Sequence, residues 1–222
     1  VRNMENQKRF ITNASHELKT PIAIISANAE AMELINGKNE WTGNIISQVK
    51  RLSLLINDLV LLSKIGETSA KDLTLVDMDL SEAVKSSAGG FRQMIEDAGK
   101  TLSVEVESGI HAKVEPRLFS EIVSILLDNA VKYCDEKGLI TARLEKNKKG
   151  VLLSVSNSYK EGESEDYERF FERFYRGDTS HNSKRSGYGI GLAMARDMAR
   201  LMKGSLDVSY KDGGITFSLS LA

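Results

Sequence analysis

The sequence has little of what would place it in several large classes of protein. It carries one cysteine, Cys134, in 222 residues. No disulfide framework can be built from that, and the count fits a reducing compartment. No run is long and apolar enough to span a bilayer, and no stretch reads as a signal peptide. The net charge is −1, so there is no surplus of cations to hold a nucleic-acid backbone. Only two prolines are present, Pro21 and Pro116. The first lies within a helical pattern, where it cannot donate to the Glu17 carbonyl and predicts a bend. The second stands where a helix would open.

What is present is organised around residues 10–25, FITNASHELKTPIAII. Ile11, Ala14, Leu18, Ile22, Ile25, Ala29 and Met32 recur at steps of three and four, a helical stripe close to a heptad seam. With Ile11 at position a, His16 falls at f, opposite the seam. There it is exposed, free to ionise and free to act as a nucleophile. Glu17 is its neighbour, and Thr20, four residues on, shares its face. This helix is predicted to reach about Ile35, with Asn36-Gly37 as a turn. A second helix is predicted from about Trp41 to Ile65, with Ile45, Val49, Leu52, Ile56 and Leu59 as its seam. Such a hairpin buries only part of its stripe, so a homodimeric four-helix bundle is expected. A monomer whose stripe packs on the rest of the chain is the alternative.

Residues 66–72, GETSAKD, are short, polar and turn-rich. They set a hairpin at 1–66, a linker at 67–72 and a second domain at 73–222. That domain alternates strand and helix patterns. Strands are expected at Leu73–Met78, Leu102–Val106 and His111–Glu115. A helix capped by Asp79 or Ser81 should run to about Ala98, with Gly99 ending it. A second, Pro116 to about Tyr133, has Leu118, Ile122, Ile125, Leu126 and Ala130 as its apolar face, and Asn129 on that same face. A buried Asn is costly unless its hydrogen bonds are satisfied. Strands around Ile140–Leu144 and Val151–Val155 follow, and Asn157 continues the inward parity of the latter as a pocket candidate. Residues 163–169 are acidic, a short helix or loop. Residues 170–176, FFERFYR, alternate aromatic and basic. Residues 177–186 have almost no apolar side chain. Gly187, Gly189 and Gly191, with Leu192, then run into a helix, where alternate glycines let backbone amides approach phosphate. A hairpin, Leu206–Tyr210 and Ile215–Leu221, turns at Asp212-Gly213-Gly214.

SHELKTP resembles the phosphoacceptor box of bacterial sensor histidine kinases. LLDNAVKY resembles their asparagine box, FFERFYR their F box and GYGIGL their second glycine box, in the family's order over essentially the whole chain. The resemblance implies an α+β protein of two domains. An antiparallel helical hairpin forms a dimeric bundle, and an ATP-binding α/β sandwich of the Bergerat type, shared with gyrase and the Hsp90 chaperones, follows. It implies that His16 is phosphorylated from Mg-ATP, that Glu17 acts as base, and that Thr20 positions water in phosphatase action. Asn129 would hold Mg2+, Lys132 would reach the phosphates with Tyr133 nearby, and Arg176 would contact the terminal phosphate. Residues 177–186 would be a lid, flexible and ordered by nucleotide. The implied partners are a second copy and the receiver domain of a response regulator, with no nucleic acid. The implied setting is the cytoplasmic part of a membrane protein, anchored through segments outside this chain.

Two positions depart from the family's pattern. Asn157-Ser158-Tyr159 stands where an Asp-x-Gly box takes the adenine amino group, leaving an uncharged acceptor and a tyrosine that narrows the pocket. Ile125 stands where many members carry a further polar ligand one turn before the Asn. These departures motivate a chiefly phosphatase output, and also a rival of another class, a non-catalytic dimeric signalling scaffold.

Overall fold

The computed structural model describes residues 2–68, 73–148, 150–164, 166–175 and 188–222; of these, the side chains at 2–17, 66, 67 and 164 are not described. The chain forms two compact units, residues 1–67 and 68–222. Helices α1 (Arg2–Asn36) and α2 (Glu40–Glu67) make the first. Gly37, at φ +79°, makes the turn. Asn39 caps α2 by accepting the Thr42 N–H at 3.0 Å, and the Thr42 hydroxyl donates to Glu33 at 2.9 Å, tying the tip back to α1. Helix α1 continues through Pro21. Helix α2 includes Gly66 and Glu67, so it outruns the predicted end at Ile65 and takes a residue given to the linker. A glycine in the last turn of a helix costs little, because few hydrogen bonds depend on it.

The seam is only partly used within one hairpin. Ile22 and Ala29 of α1 and Val49 and Ile56 of α2 are buried. Leu18, Ile25, Met32, Ile45 and Leu52, on the same predicted stripe, remain 42 to 51% exposed. Two helices can cover one side of each stripe and no more.

The second unit is a two-layer sandwich. Its strands are β1 (Val76–Asp79), β2 (Thr101–Val106), β3 (His111–Val114), β4 (Leu139–Asn147), β5 (Gly150–Ser158), β6 (Ser205–Lys211) and β7 (Gly214–Leu221). Its helices are α3 (Leu80–Asp97), α4 (Pro116–Tyr133) and α5 (Gly191–Leu201). The main sheet has the order β2-β4-β5-β7-β6, with β2 and β4 parallel and the other pairs antiparallel. Strands β1 and β3 form a separate antiparallel pair. The predicted strand at Leu73 begins only at Val76, because β3 is four residues long and offers no partner further back.

One face of the main sheet supplies the core: Ile140, Ala142 and Leu144, then Val151, Leu153 and Val155, then Ile215, Phe217, Leu219 and Leu221. The helices lie against it. Asp79 caps α3 by accepting the Glu82 N–H at 3.0 Å. Ser81, the other predicted cap, is instead buried, donating to the Glu107 carbonyl at 2.6 Å and accepting the Ile110 N–H at 2.9 Å. Pro116 opens α4, whose buried arc is Phe119, Ile122, Val123, Leu126, Leu127 and Ala130. Leu118 and Ile125, predicted on its apolar face, are only half-buried. Helix α4 packs on the sheet and on both α3 and α5, so its covered arc is wider than one stripe and rotated from it. The β6–β7 turn is Asp212 at φ +52° and Gly213 at φ +77°, the double-positive geometry that matches the twist of a hairpin.

Candidate functional site

The candidate residues divide between the two units. In the hairpin, His16 and Glu17 lie within α1, with side chains outside the described residues, and Thr20 is exposed on the same helix. Between α1 and α2 runs a groove of about 770 Å³. Its floor is Ile22, Val49 and Ile56, and its rim carries Lys19, Glu30 and Lys50. Leu18, Ile25, Met32, Ile45 and Leu52 do not line it. The hairpin therefore has a polar-rimmed groove and, apart from it, an apolar strip.

In the second unit, α4 carries the next group. Asn129 is half-buried rather than buried, and its side chain makes no hydrogen bond with another described residue. It stands one turn beyond Ile125, on the flank of α4 rather than under the sheet. Lys132 is paired with Asp128 one turn back on the same helix. Tyr133 closes the helix and is half-buried. Cys134 follows as the cap residue. Burial pushes its thiol up, as befits a packed side chain rather than a reactive one.

Asn157 ends the inward row of β5 and is 3% exposed. Its Nδ2 donates to the Ser158 carbonyl at 3.1 Å. Its Oδ1 is the one buried side-chain polar atom without a partner among the described residues. An unsatisfied buried acceptor costs about 1–3 kcal/mol, which makes Asn157 Oδ1 a candidate to receive a further donor. Tyr159 is buried, and its ring lies against Gly162, where an added Cβ would come within 2.7 Å of Tyr159 and of Tyr210.

The glycine turn is built by close backbone approach. Gly189 has φ +68°, and a Cβ there would collide with the Tyr175 carbonyl oxygen. The Phe174 N–H donates to the Gly189 carbonyl at 2.8 Å, with Phe174 itself at φ +66°. Phe174 and Gly189 thus bracket positions 176–187, which lie outside the described residues and include Arg176, Gly187 and the predicted lid. Gly191 opens α5, and a Cβ on it would sit 3.3 Å from Ile125 Cγ2. Half-buried Leu192 follows. Ile190 at its N-cap makes no side-chain cap hydrogen bond among the described residues, and the first N–H groups of a helix can meet an anion.

The F-box segment is fastened to α5 by side chains that sequence pattern did not single out. Phe171 packs edge-on against Phe217 at 6.4 Å between centroids, and the Arg196 guanidinium lies 4.4 Å over the Phe171 ring. Arg196 also reaches Glu168 at 3.3 Å, and Arg173 reaches Asp197 at 3.2 Å. Their spacings of 28 and 24 residues follow no local period, so only the fold reveals them.

Residues 6–68 match the His Kinase A (phospho-acceptor) domain, and residues 113–222 match the histidine kinase-, DNA gyrase B- and HSP90-like ATPase. The chain belongs to the sensor histidine kinases. Among curated relatives, the sensor protein DltS of Streptococcus agalactiae is 30% identical over 91% of this chain and 51% of its own length. The sensor histidine kinase RppB of Synechocystis is 31% identical over 98% of this chain and 49% of its own. The chain thus spans about half the length of the curated relatives it matches. Among solved structures, full-length ShkA in complex with AMPPNP superposes with a TM-score of 0.76 at 23% identity, over 95% of this chain and 45% of that one. The fold of this chain is a helical hairpin followed by a mixed α/β sheet domain. Among its described residues, no helix is long and apolar enough to cross a membrane.

Proposed function

We propose that the kinase phosphorylates itself on His16 from Mg-ATP and passes the phosphoryl group to an aspartate of a response-regulator receiver domain. The observation that carries this reading is the buried, unpartnered Oδ1 of Asn157. It stands on the core face of the sheet against which α4 packs, and α4 carries Asn129. An exocyclic amine of adenine is the donor it lacks. The N-terminus of α5 at Gly191 offers amides to phosphate. That chemistry is foreign to a scaffold that needs no nucleotide, and weighs against the scaffold reading.

In the proposed reaction a ring nitrogen of His16 forms a bond to the γ-phosphorus, the bond to the ADP oxygen breaks, and Glu17 takes the proton from the other nitrogen. The chain's work is positioning and charge neutralisation. Lys132, held by Asp128, and Arg176 supply positive charge. A bound Mg2+ would offset the charge of the phosphates. Asn129 has the amide oxygen to hold it, uncommitted to any described residue. No cluster of three or more His, Cys, Asp or Glu side chains that could hold a metal exists among the described residues, so phosphate and water would complete the shell.

Calorimetry of ATP with Mg2+ tests this. Asn129→Ala should weaken Mg-ATP binding by on the order of 10–100-fold, the worth of a contact to a charged group, while magnesium-free binding barely changes. No ATP binding by the wild type would leave the scaffold standing.

The exposed strip of Leu18, Ile25, Met32, Ile45 and Leu52 supports a homodimer. Leu52→Glu should convert dimer to monomer in sedimentation equilibrium at micromolar protein, since it would bury an unpaired charge. A dimer unaffected by it would place the interface elsewhere. The reading extends to dephosphorylation of the regulator, with Thr20 positioning water. It sets the kinase on the cytoplasmic side of a membrane through segments beyond this chain.

A further inference from the structure

Three tyrosines from three segments close on one turn. Lys160–Ser164 is a short 3-10 helix just past β5. Lys160, Glu161 and Glu163 are exposed and Gly162 is buried, so the turn has little apolar packing of its own and is held where Gly162 sits. Tyr159, at the end of β5, and Tyr210, on β6, both lie against Gly162, where an added Cβ would come within 2.7 Å of either ring. Tyr167, which opens the next short helix, Tyr167–Phe171, stacks on Tyr210 with centroids 5.9 Å apart and rings 15° from parallel. The Tyr167 hydroxyl donates to the Gly162 carbonyl, and the Tyr210 hydroxyl to the Lys160 carbonyl at 3.4 Å. The backbone is tied as well: the Tyr159 N–H donates to the Gly213 carbonyl at 2.8 Å, and the Lys160 N–H to the Asp135 carboxylate at 3.0 Å.

We propose that Tyr159, Tyr167 and Tyr210 are positioning residues that cage the 160–162 turn, so that nucleotide meets a segment already ordered by folding. The inference rests on the ATP-site reading above and deepens it. The caged turn is the stretch of chain between two parts of that site. Asn157 stands two residues before Tyr159, and the Tyr167–Phe171 helix leads on to Phe174, whose N–H donates to the Gly189 carbonyl at 2.8 Å. A ligand that engages both ends fixes the segment between them. Where that segment is loose beforehand, its lost conformational freedom is subtracted from affinity; where folding has already fixed it, nothing is subtracted. The Tyr159 ring is committed to this cage, so it favours binding instead of narrowing the pocket. The three tyrosines act through the backbone of residues 160–162 and not by touching nucleotide.

The test sets calorimetric affinity for Mg-ATP beside the kcat and KM of labelling, on the whole chain, below the thermal midpoint of every variant. Tyr210→Ala removes the stack and the contact with Gly162. It should raise Kd and KM by on the order of 10-fold and keep kcat at saturating ATP within about twofold, the pattern of lost uniform binding. Gly162→Ala, at a position without positive φ, forces the rings apart and should do the same. Tyr210→Phe keeps the stack and loses one long hydrogen bond, so it should stay within about threefold of wild type. Tyr159→Gly would open a narrowed pocket, but it breaks the cage and should bind ATP more weakly. The amides of residues 160–162 should exchange faster in nucleotide-free Tyr210→Ala and Gly162→Ala than in the wild type. A role in stability alone would lower the thermal midpoint and leave KM where it is, and that result would overturn the proposal. Tighter ATP binding by Tyr159→Gly, or a loss confined to kcat, would overturn it too. A wild type that binds no ATP would take down the ATP-site reading itself, a failure distinct from variants that bind as the wild type does.

Discussion

The His16→Gln variant is expected to bind Mg-ATP as the wild type does and to transfer no phosphoryl group. An imidazole is neutral near physiological pH and carries a nucleophilic ring nitrogen, whereas a carboxamide nitrogen has its lone pair delocalised into the carbonyl. The heptad pattern puts the change at position f, opposite the seam to which the buried Ile22, Ala29, Val49 and Ile56 belong, so the hairpin should keep its fold. The residues proposed to bind nucleotide belong to the other compact unit, so affinity should hold within error while labelling falls to background. Filter labelling beside calorimetry reads both at once. The same variant separates the second activity. It should still remove phosphate from a phosphorylated regulator, because the water rather than the histidine is then the nucleophile, and Thr20→Ala should not. Label retained in His16→Gln would move the phosphoacceptor to another residue.

The second large effect is expected from Gly189→Ala. The position has φ +68°, where a side chain costs of order 1–3 kcal/mol in strain. The greater problem is the Tyr175 carbonyl, into which the new methyl would run. Backbone cannot swing aside as a side chain can. The bond from the Phe174 N–H to the Gly189 carbonyl holds the two segments together, so relief requires moving Phe174, Tyr175 or the start of α5. A displacement of about an ångström in groups that position phosphate costs on the order of 10²-fold in transfer. Autophosphorylation should fall by that much. The unit should remain folded, because Phe171, Arg196 and the helix core lie beyond the turn. Gly213→Ala, also at positive φ but with nothing within 4 Å of an added Cβ, is the control. It bears similar strain without the collision and should keep most of its activity. Equal losses in the two would attribute the effect to strain rather than to close approach.

Much of this was legible because local chemistry sufficed. Pro116 marks the first residue of α4, and Asp212-Gly213 demands the turn it makes. The alternation of Val151, Leu153 and Val155 carried forward to place Asn157 inward, where it is found. What escaped sequence reading depends on partners distant in the chain. The first residue of β1 is set by the length of β3. The buried arc of α4 includes Phe119, Val123 and Leu127 because α3, α5 and the sheet all press on it. The parallel pairing of β2 with β4 cannot be seen in either strand alone. At the site, Asn157 was readable, but the Ser158 carbonyl that orients it was not, since any residue type at 158 has a carbonyl. Arg196 over Phe171 was equally hidden in a helix whose pattern shows only its apolar side. The residues that carry chemistry announce themselves by type. Those that aim them act through backbone and packing.

The most direct test of the central claim is incubation with γ-labelled ATP and magnesium, wild type beside Asn129→Ala and His16→Gln. The account predicts label on the wild-type chain that is lost in acid and stable in base, the signature of a phosphorus–nitrogen bond, and none on either variant. An unlabelled wild type that binds ATP, or label that survives acid, would contradict it.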